Sequence, residues 1–294
     1  MKKLVAVLAA ALVAPALVTA GAAPAAAKAA PRDPGTAVQE QFTKKGGVRL
    51  AETFRMTYAK QTLLDVRRTG LLRFGPGGVA SFDVTTTAKD TTDKDAKKST
   101  SRVIGVGGYG YSQDSATELP EGKKWVRFTD HAIPPSTLSV DILDPKVLKA
   151  VLATTKDTVQ GGKVDGARTV VYRGSIDLKK LAKADKQSLV VALGGLAGKD
   201  AAKTLSWKLW IGADNLPRRF TSSYVVLTDK KRGDALVTTD VRFTGWGTRA
   251  EVKAPPAAEV IDQKDVPSPA EEEAKENFLI PFDDPYKNLK LVTG

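Results

Sequence analysis

The stretch from Lys203 to Tyr224 constrains the fold more than any other part of this chain. It reads Leu205-Ser206-Trp207-Lys208-Leu209-Trp210-Ile211, then Gly212-Ala213-Asp214-Asn215, then Leu216-Pro217-Arg218-Arg219-Phe220-Thr221-Ser222-Ser223-Tyr224. Leu205, Trp207, Leu209 and Ile211 fall on one face at period two, with Ser206 and Lys208 on the other. The Gly/Asp/Asn cluster is the punctuation of a hairpin. A broad aromatic and aliphatic face on an antiparallel sheet follows, and such a face must be covered.

The N-terminus has the pattern of an export signal. Lys2 and Lys3 precede an apolar run from Leu4 to Val18, and small residues follow at Thr19-Ala20-Gly21-Ala22-Ala23. The run is shorter than the roughly 20 residues a spanning helix needs, and Pro15 interrupts it. The reading is a cleaved signal peptide over residues 1–27 and a protein secreted or held in the cell envelope. The chain has no cysteine, so neither disulfides nor lipidation of an N-terminal cysteine can support it. Its stability must come from its core. Ala/Pro-rich composition, with high Ala, Gly, Arg and Asp usage, suggests a high-GC bacterial source.

The formal net charge is +12. Lys and Arg dominate the body, whereas Glu271-Glu272-Glu273, Glu276, Asp283 and Asp284 make the end acidic. A basic exported body suits an anionic membrane or cell-wall surface. Nucleic acid is not expected as a partner, because no nucleic-acid motif accompanies the charge.

Between these ends the periodicity alternates in kind. Residues 28–35 read as a disordered Pro/Ala leader, and a short helix is expected from Thr36 to Lys44. Strand patterns cover Arg49–Tyr58, Thr62–Phe74, Val79–Thr87, Arg102–Tyr111 and Lys124–Phe128. Pro134–Thr155 reads as helical, most clearly from Asp144, an N-cap followed by Pro145 at the first helical position. Strands follow at Thr158–Lys163 and Ala167–Ile176, then helices at Leu178–Ala182 and Lys186–Leu196. Three last strands cover Lys203–Ile211, Leu216–Leu227 and Leu236–Trp246. The order is helix, strands, helices, strands, which means α+β with a mainly antiparallel sheet. One domain is expected over residues 36–256, with a Pro-rich, acidic tail from 257 to 294. In that tail Phe278-Leu279-Ile280-Pro281-Phe282 is apolar enough to dock on the body, guided by the acidic run; the alternative is a disordered tail that carries a few apolar residues.

Catalytic chemistry is sparse. Gly105-Val106-Gly107-Gly108-Tyr109-Gly110 has the look of a dinucleotide loop, but it leads into Tyr111-Ser112-Gln113 and not into a helix, so it reads as a hairpin turn. His131 is the only histidine, and no nucleophile motif accompanies it. Asp90-Thr91-Thr92-Asp93-Lys94-Asp95 lacks the glycine and terminal glutamate of a calcium loop. No catalytic residue, metal or cofactor is expected, and the chain reads as a non-enzyme.

Several segments together carry a resemblance. They are Trp125-Val126-Arg127-Phe128, Ile142-Leu143-Asp144-Pro145-Lys146-Val147-Leu148, and Val164 through Leu178 with its Gly166, Thr169, Tyr172 and Gly174. Trp207-Lys208-Leu209-Trp210-Ile211 with Asn215-Leu216-Pro217-Arg218-Arg219, and Phe243-Thr244-Gly245-Trp246-Gly247, complete the set. In this order they resemble the LppX/LprG-type actinobacterial lipid-binding proteins, relatives of the lipoprotein carrier LolA, here without the lipobox cysteine. The resemblance implies a curved antiparallel half-barrel with helices packed in its concave face. It implies a carrier of a lipid or lipoglycan, monomeric, whose acyl chains lie between sheet and helices. The expected lining is Phe54, Met56, Phe82, Val126, Phe128, Trp207, Leu209, Phe220, Tyr224 and Phe243, closed by Leu143, Val147 and Val151. Arg218 and Arg219 are candidates for a phosphate head group, or else surface charges of a strand edge. The alternative on the same fold is an extracytoplasmic sensor or interaction module with a filled core.

Overall fold

The computed structural model describes residues 33–91, 98–115, 117–129, 137–186, 203–228 and 230–266. Helix α1 (Pro34–Thr43) opens the described part, followed by strands β1 (Gly47–Tyr58), β2 (Gln61–Gly75), β3 (Gly78–Asp90), β4 (Ser99–Val106), β5 (Tyr109–Asp114) and β6 (Trp125–Phe128). Helix α2 (Pro145–Leu152) comes next, then β7 (Thr155–Val164), β8 (Ala167–Asp177) and helix α3 (Leu178–Ala184). Strands β9 (Thr204–Gly212), β10 (Pro217–Leu227), β11 (Ala235–Thr244) and the short β12 (Val260–Asp262) complete the set. This is the α+β class that the periodicity and the resemblance imply.

The strands form one open sheet of twelve, in the order β12-β6-β5-β4-β3-β2-β1-β11-β10-β9-β8-β7. Two antiparallel meanders, β1–β6 and β7–β11, meet where β1 pairs with β11. The link from β6 to β7 therefore has to travel from one side of the sheet to the other. It does so over one face: Leu138, Val140, Ile142, Leu143, Val147, Leu148 and Val151 are all buried. That face is the inner one. α1 packs against β2 and β3, while α2 and α3 pack against β8 and α2 touches both other helices. Three short helices reach both meanders only if the sheet bends around them, as the half-barrel expectation requires.

Local chemistry explains each helix start. Asp33 caps α1, its carboxylate accepting from Thr36 N at 3.1 Å, and Pro34 takes the first turn. The helix thus begins earlier than Thr36, inside the expected leader, and Gly35 lies against the Pro145 carbonyl of α2. Asp144 caps α2 by accepting from Lys146 N at 2.7 Å. The expected helix from Pro134 to Thr155 is in fact only this one, two turns long. Upstream of it, residues 137–143 form an irregular strap of bends and a turn. Its polar side chains compete for backbone groups and so oppose a helix: Asp141 accepts from Leu143 N at 3.1 Å, and Thr137 Oγ1 donates to the Val140 carbonyl.

The glycine run resolves as the β4–β5 hairpin. Gly107 and Gly108 both have left-handed φ, 62° and 81°, in the two-residue turn. The region after Pro255-Pro256 differs from the expected tail. β12 pairs in parallel with β6, and Asp262 takes a bidentate hydrogen bond from Arg127 at 2.5 and 2.8 Å. Val252 and Val260 cover a small apolar cluster of Ile104, Tyr111 and Trp125. Ile104 alternates with Val103 of the main core, so this cluster lies on the outer face. The expected boundary at residue 256 therefore falls inside a docked segment. The signal peptide, His131, most of the Asp90–Asp95 run, the helix expected to start at Lys186 and the Phe278–Phe282 segment lie outside the described residues.

Candidate functional site

The inner face is where the sequence places a ligand. Phe82, Leu143, Val147, Val151, Trp207, Leu209, Phe220, Tyr224 and Phe243 belong to one cluster there, with Val48, Leu50, Leu72 and Val241. Phe54 and Met56 belong to a second cluster with Leu138 and Val237. Val126 is buried on β6, and the Phe128 ring lies over Gly110, where an added Cβ would stand 2.3 Å from it; both alternate with the outward Trp125 and so share the inward phase. So eleven of the thirteen expected lining residues fall in these two clusters, and Val126 and Phe128 continue the same face at its β5–β6 side.

The interior is filled. Val140, Ile142, Leu148, Val151, Leu209, Phe220 and Phe243 are all 0% exposed, so not even a water molecule fits against them. Trp207 lies across Gly174 and donates its indole N–H to Thr154 Oγ1 at 3.1 Å, where β7 begins. The strap supplies much of the filling: Leu138 enters the second cluster, and Val140 and Ile142 the first.

Sequence reasoning missed a polar belt across this face. On β1 the inner residues run Leu50, Glu52, Phe54; on β2, Leu72, Gly70, Arg68, Val66. On β11 they run Val241, Thr239, Val237, and on β10 Phe220, Ser222, Tyr224. Glu52 stands opposite Arg68, Thr239 is its diagonal neighbour on β11, and Ser222 stands opposite Thr239. The belt therefore crosses four adjacent strands, with apolar side chains on either side. Its signal was legible as a polar residue in the inward phase of each strand.

Most of the belt is satisfied. Arg68 Nη1 donates to Glu52 Oε2 at 3.0 Å, and both side chains are buried. Glu52 Oε1 accepts from Leu138 N of the strap at 2.7 Å, and Ser222 Oγ meets Ser139 Oγ at 3.1 Å. The belt thus holds the strap at two points. Burial pushes the Glu52 carboxyl above its ordinary range, against the pull of Arg68 and of the Leu138 N–H, and Asp141 adds to the push. Two hydroxyls have no hydrogen-bond partner among the described residues, Thr239 Oγ1 and Tyr224 Oη. Burial also raises the Tyr224 phenol.

Arg218 and Arg219 do not form a free cationic rim, and β10 is an interior strand of the sheet and not an edge. Arg218 is buried and donates to Asp214 at 2.5 Å, with Asp165 at 3.8 Å. Arg219 is bidentate to Asp240 at 2.9 and 2.6 Å and stacks on Trp210 at 4.8 Å. Among the described residues no cluster of three or more acidic or histidine side chains could hold a metal.

No family model matches the chain, and no curated protein matches it. Among solved structures it is similar to LprF from Mycobacterium bovis, at 17% identity, over 76% of this chain and 96% of that one, with a TM-score of 0.41. It is also similar to the LolA superfamily protein NE2245 from Nitrosomonas europaea, at 8% identity over 74% and 93%, with a TM-score of 0.25. At these TM-scores the likeness carries no argument.

Proposed function

We propose that this chain is an exported, monomeric lipid-binding carrier that holds the acyl chains of a lipid or lipoglycan between the inner sheet face and the helices. The observation that carries the reading is the strap. It is an irregular segment, not a packed helix, that fills the interior with Leu138, Val140 and Ile142 and is tied to the sheet at Glu52 and Ser222. Acyl chains are chemically equivalent to those three side chains, so a lipid would take the strap's place as the strap moves outward. Export through residues 1–27 would put the carrier outside the cytoplasmic membrane. The outer face of β1, β9 and β11 exposes Arg49, Lys208 and Arg242, which supports contact with an anionic membrane or wall surface.

The second reading, a sensor or interaction module with a permanently filled core, is favoured by the complete burial of the interior side chains. One experiment separates the two. The protein is purified from its own envelope or culture fluid without detergent and extracted with organic solvent, and the extract is weighed by mass spectrometry. Lipid near one molecule per chain supports the carrier; a clean extract supports the module.

A further inference from the structure

We infer that Tyr224 and Thr239 form a polar waist that hydrogen-bonds an uncharged oxygen of the ligand, with hydrocarbon on both sides of that oxygen. This rests on the carrier reading and narrows its ligand.

Three observations converge. Tyr224 is 1% exposed and Thr239 3%, and neither hydroxyl has a partner among the described residues. A buried hydroxyl without a partner is a net cost to the fold, and phenylalanine or valine would fill nearly the same volume without it. The two lie on adjacent strands of the inner face: Thr239 is opposite Ser222, and Tyr224 is the next inward residue of β10. Both therefore face the space that the strap covers.

The second observation is the layout of the face. The belt Arg68-Glu52-Thr239-Ser222 has Leu50, Leu72, Val241 and Phe220 on one side, and Phe54, Met56, Val237 and Leu138 on the other. The apolar surface thus has two lobes with a polar line between them. A ligand with its oxygen at one end would leave one lobe beside its polar group. A ligand with oxygen in its middle matches both.

The third observation is charge. Arg68 is engaged by Glu52 at 3.0 Å, so the belt offers no net positive charge. Glu52 beside Thr239 disfavours a carboxylate or phosphate there. What remains is a neutral acceptor such as an ester carbonyl, an ether or a mid-chain hydroxyl.

The test uses three probes of similar chain length: octyl octanoate, hexadecane and palmitate. Each is equilibrated with the full mature protein, and the protein-bound fraction is measured by gas chromatography after gel filtration. Wild type is expected to retain the ester above the other two. Tyr224→Phe and Thr239→Val are expected to lower ester retention by roughly three- to tenfold each, the worth of one hydrogen bond, and to leave hexadecane unchanged. Their melting temperatures without ligand should stay level or rise, which a merely structural hydroxyl would not produce. Equal retention of ester and hexadecane by wild type, or ester retention unchanged in both variants, overturns the waist and leaves the carrier reading standing. A fall in melting temperature with all probes affected alike also overturns it. A wild type that retains none of the three overturns the carrier reading as well.

Discussion

Glu52 and Arg68 face each other across β1 and β2 and form an ion pair at 3.0 Å with both side chains almost wholly out of water. Removing one member strands the other. Glu52→Leu or Arg68→Met alone should cost about 3–5 kcal/mol in urea unfolding. The double variant should lose less than either single one, because the pair's main gain is mutual neutralisation. Additive losses in the cycle would show that the two charges do not depend on each other.

Trp207 and Gly174 make a second close fit. A Cβ at residue 174 would lie 2.3 Å from the Thr154 carbonyl oxygen and 2.6 Å from Trp207 Cζ2. Gly174→Ala should destabilise by roughly 1–3 kcal/mol through overpacking and should change the indole emission of Trp207. A stability within error of wild type would mean that the β7–β8 region yields more easily than this packing implies.

Acid should undo the C-terminal docking before the core. The hydrogen bonds from Arg127 hold the Asp262 carboxyl below its ordinary range. A lowered folded-state pKa gives stabilisation that is complete above the ordinary aspartate range and is lost as pH falls through the lowered value. Pepsin should therefore begin to cut within residues 254–262 as pH drops through that window. In Asp262→Asn the same cut should already be present at its upper end. Identical cleavage profiles for variant and wild type would remove this ion pair as the cause.

The strands were legible because their inward phase is apolar and their turns carry Gly, Asp or Asn, as at Val164-Asp165-Gly166, where Asp165 and Gly166 have left-handed φ. The α2 cap was legible in Asp144-Pro145. The Asp33-Pro34 start carries the same two signals and lies within the expected leader. The strap was not legible as helix or as loop, because Leu138, Val140 and Ile142 alternate with Thr137, Ser139 and Asp141 at period two, as in a strand, whereas what fixes residues 137–143 is Glu52 and Ser222, both far along the chain. The role of β12 was hidden for a similar reason: three residues have too little pattern, and Arg127 holds them from a distance. Arg218 and Arg219 read as surface charges because their partners, Asp214, Asp165 and Asp240, become neighbours only through turns and strand pairing.

The central claim is that acyl chains enter where the strap now lies, and the chain's lack of cysteine allows a direct measurement. Ser139 Oγ and Ser222 Oγ are 3.1 Å apart, close enough that a cysteine pair there can approach the roughly 2 Å of a disulfide. The double variant Ser139→Cys, Ser222→Cys is titrated with octyl octanoate in oxidised and reduced form. Uptake by the reduced form and none by the oxidised form is the predicted result. Equal uptake by both, or none by either the reduced form or the wild type, would contradict the account.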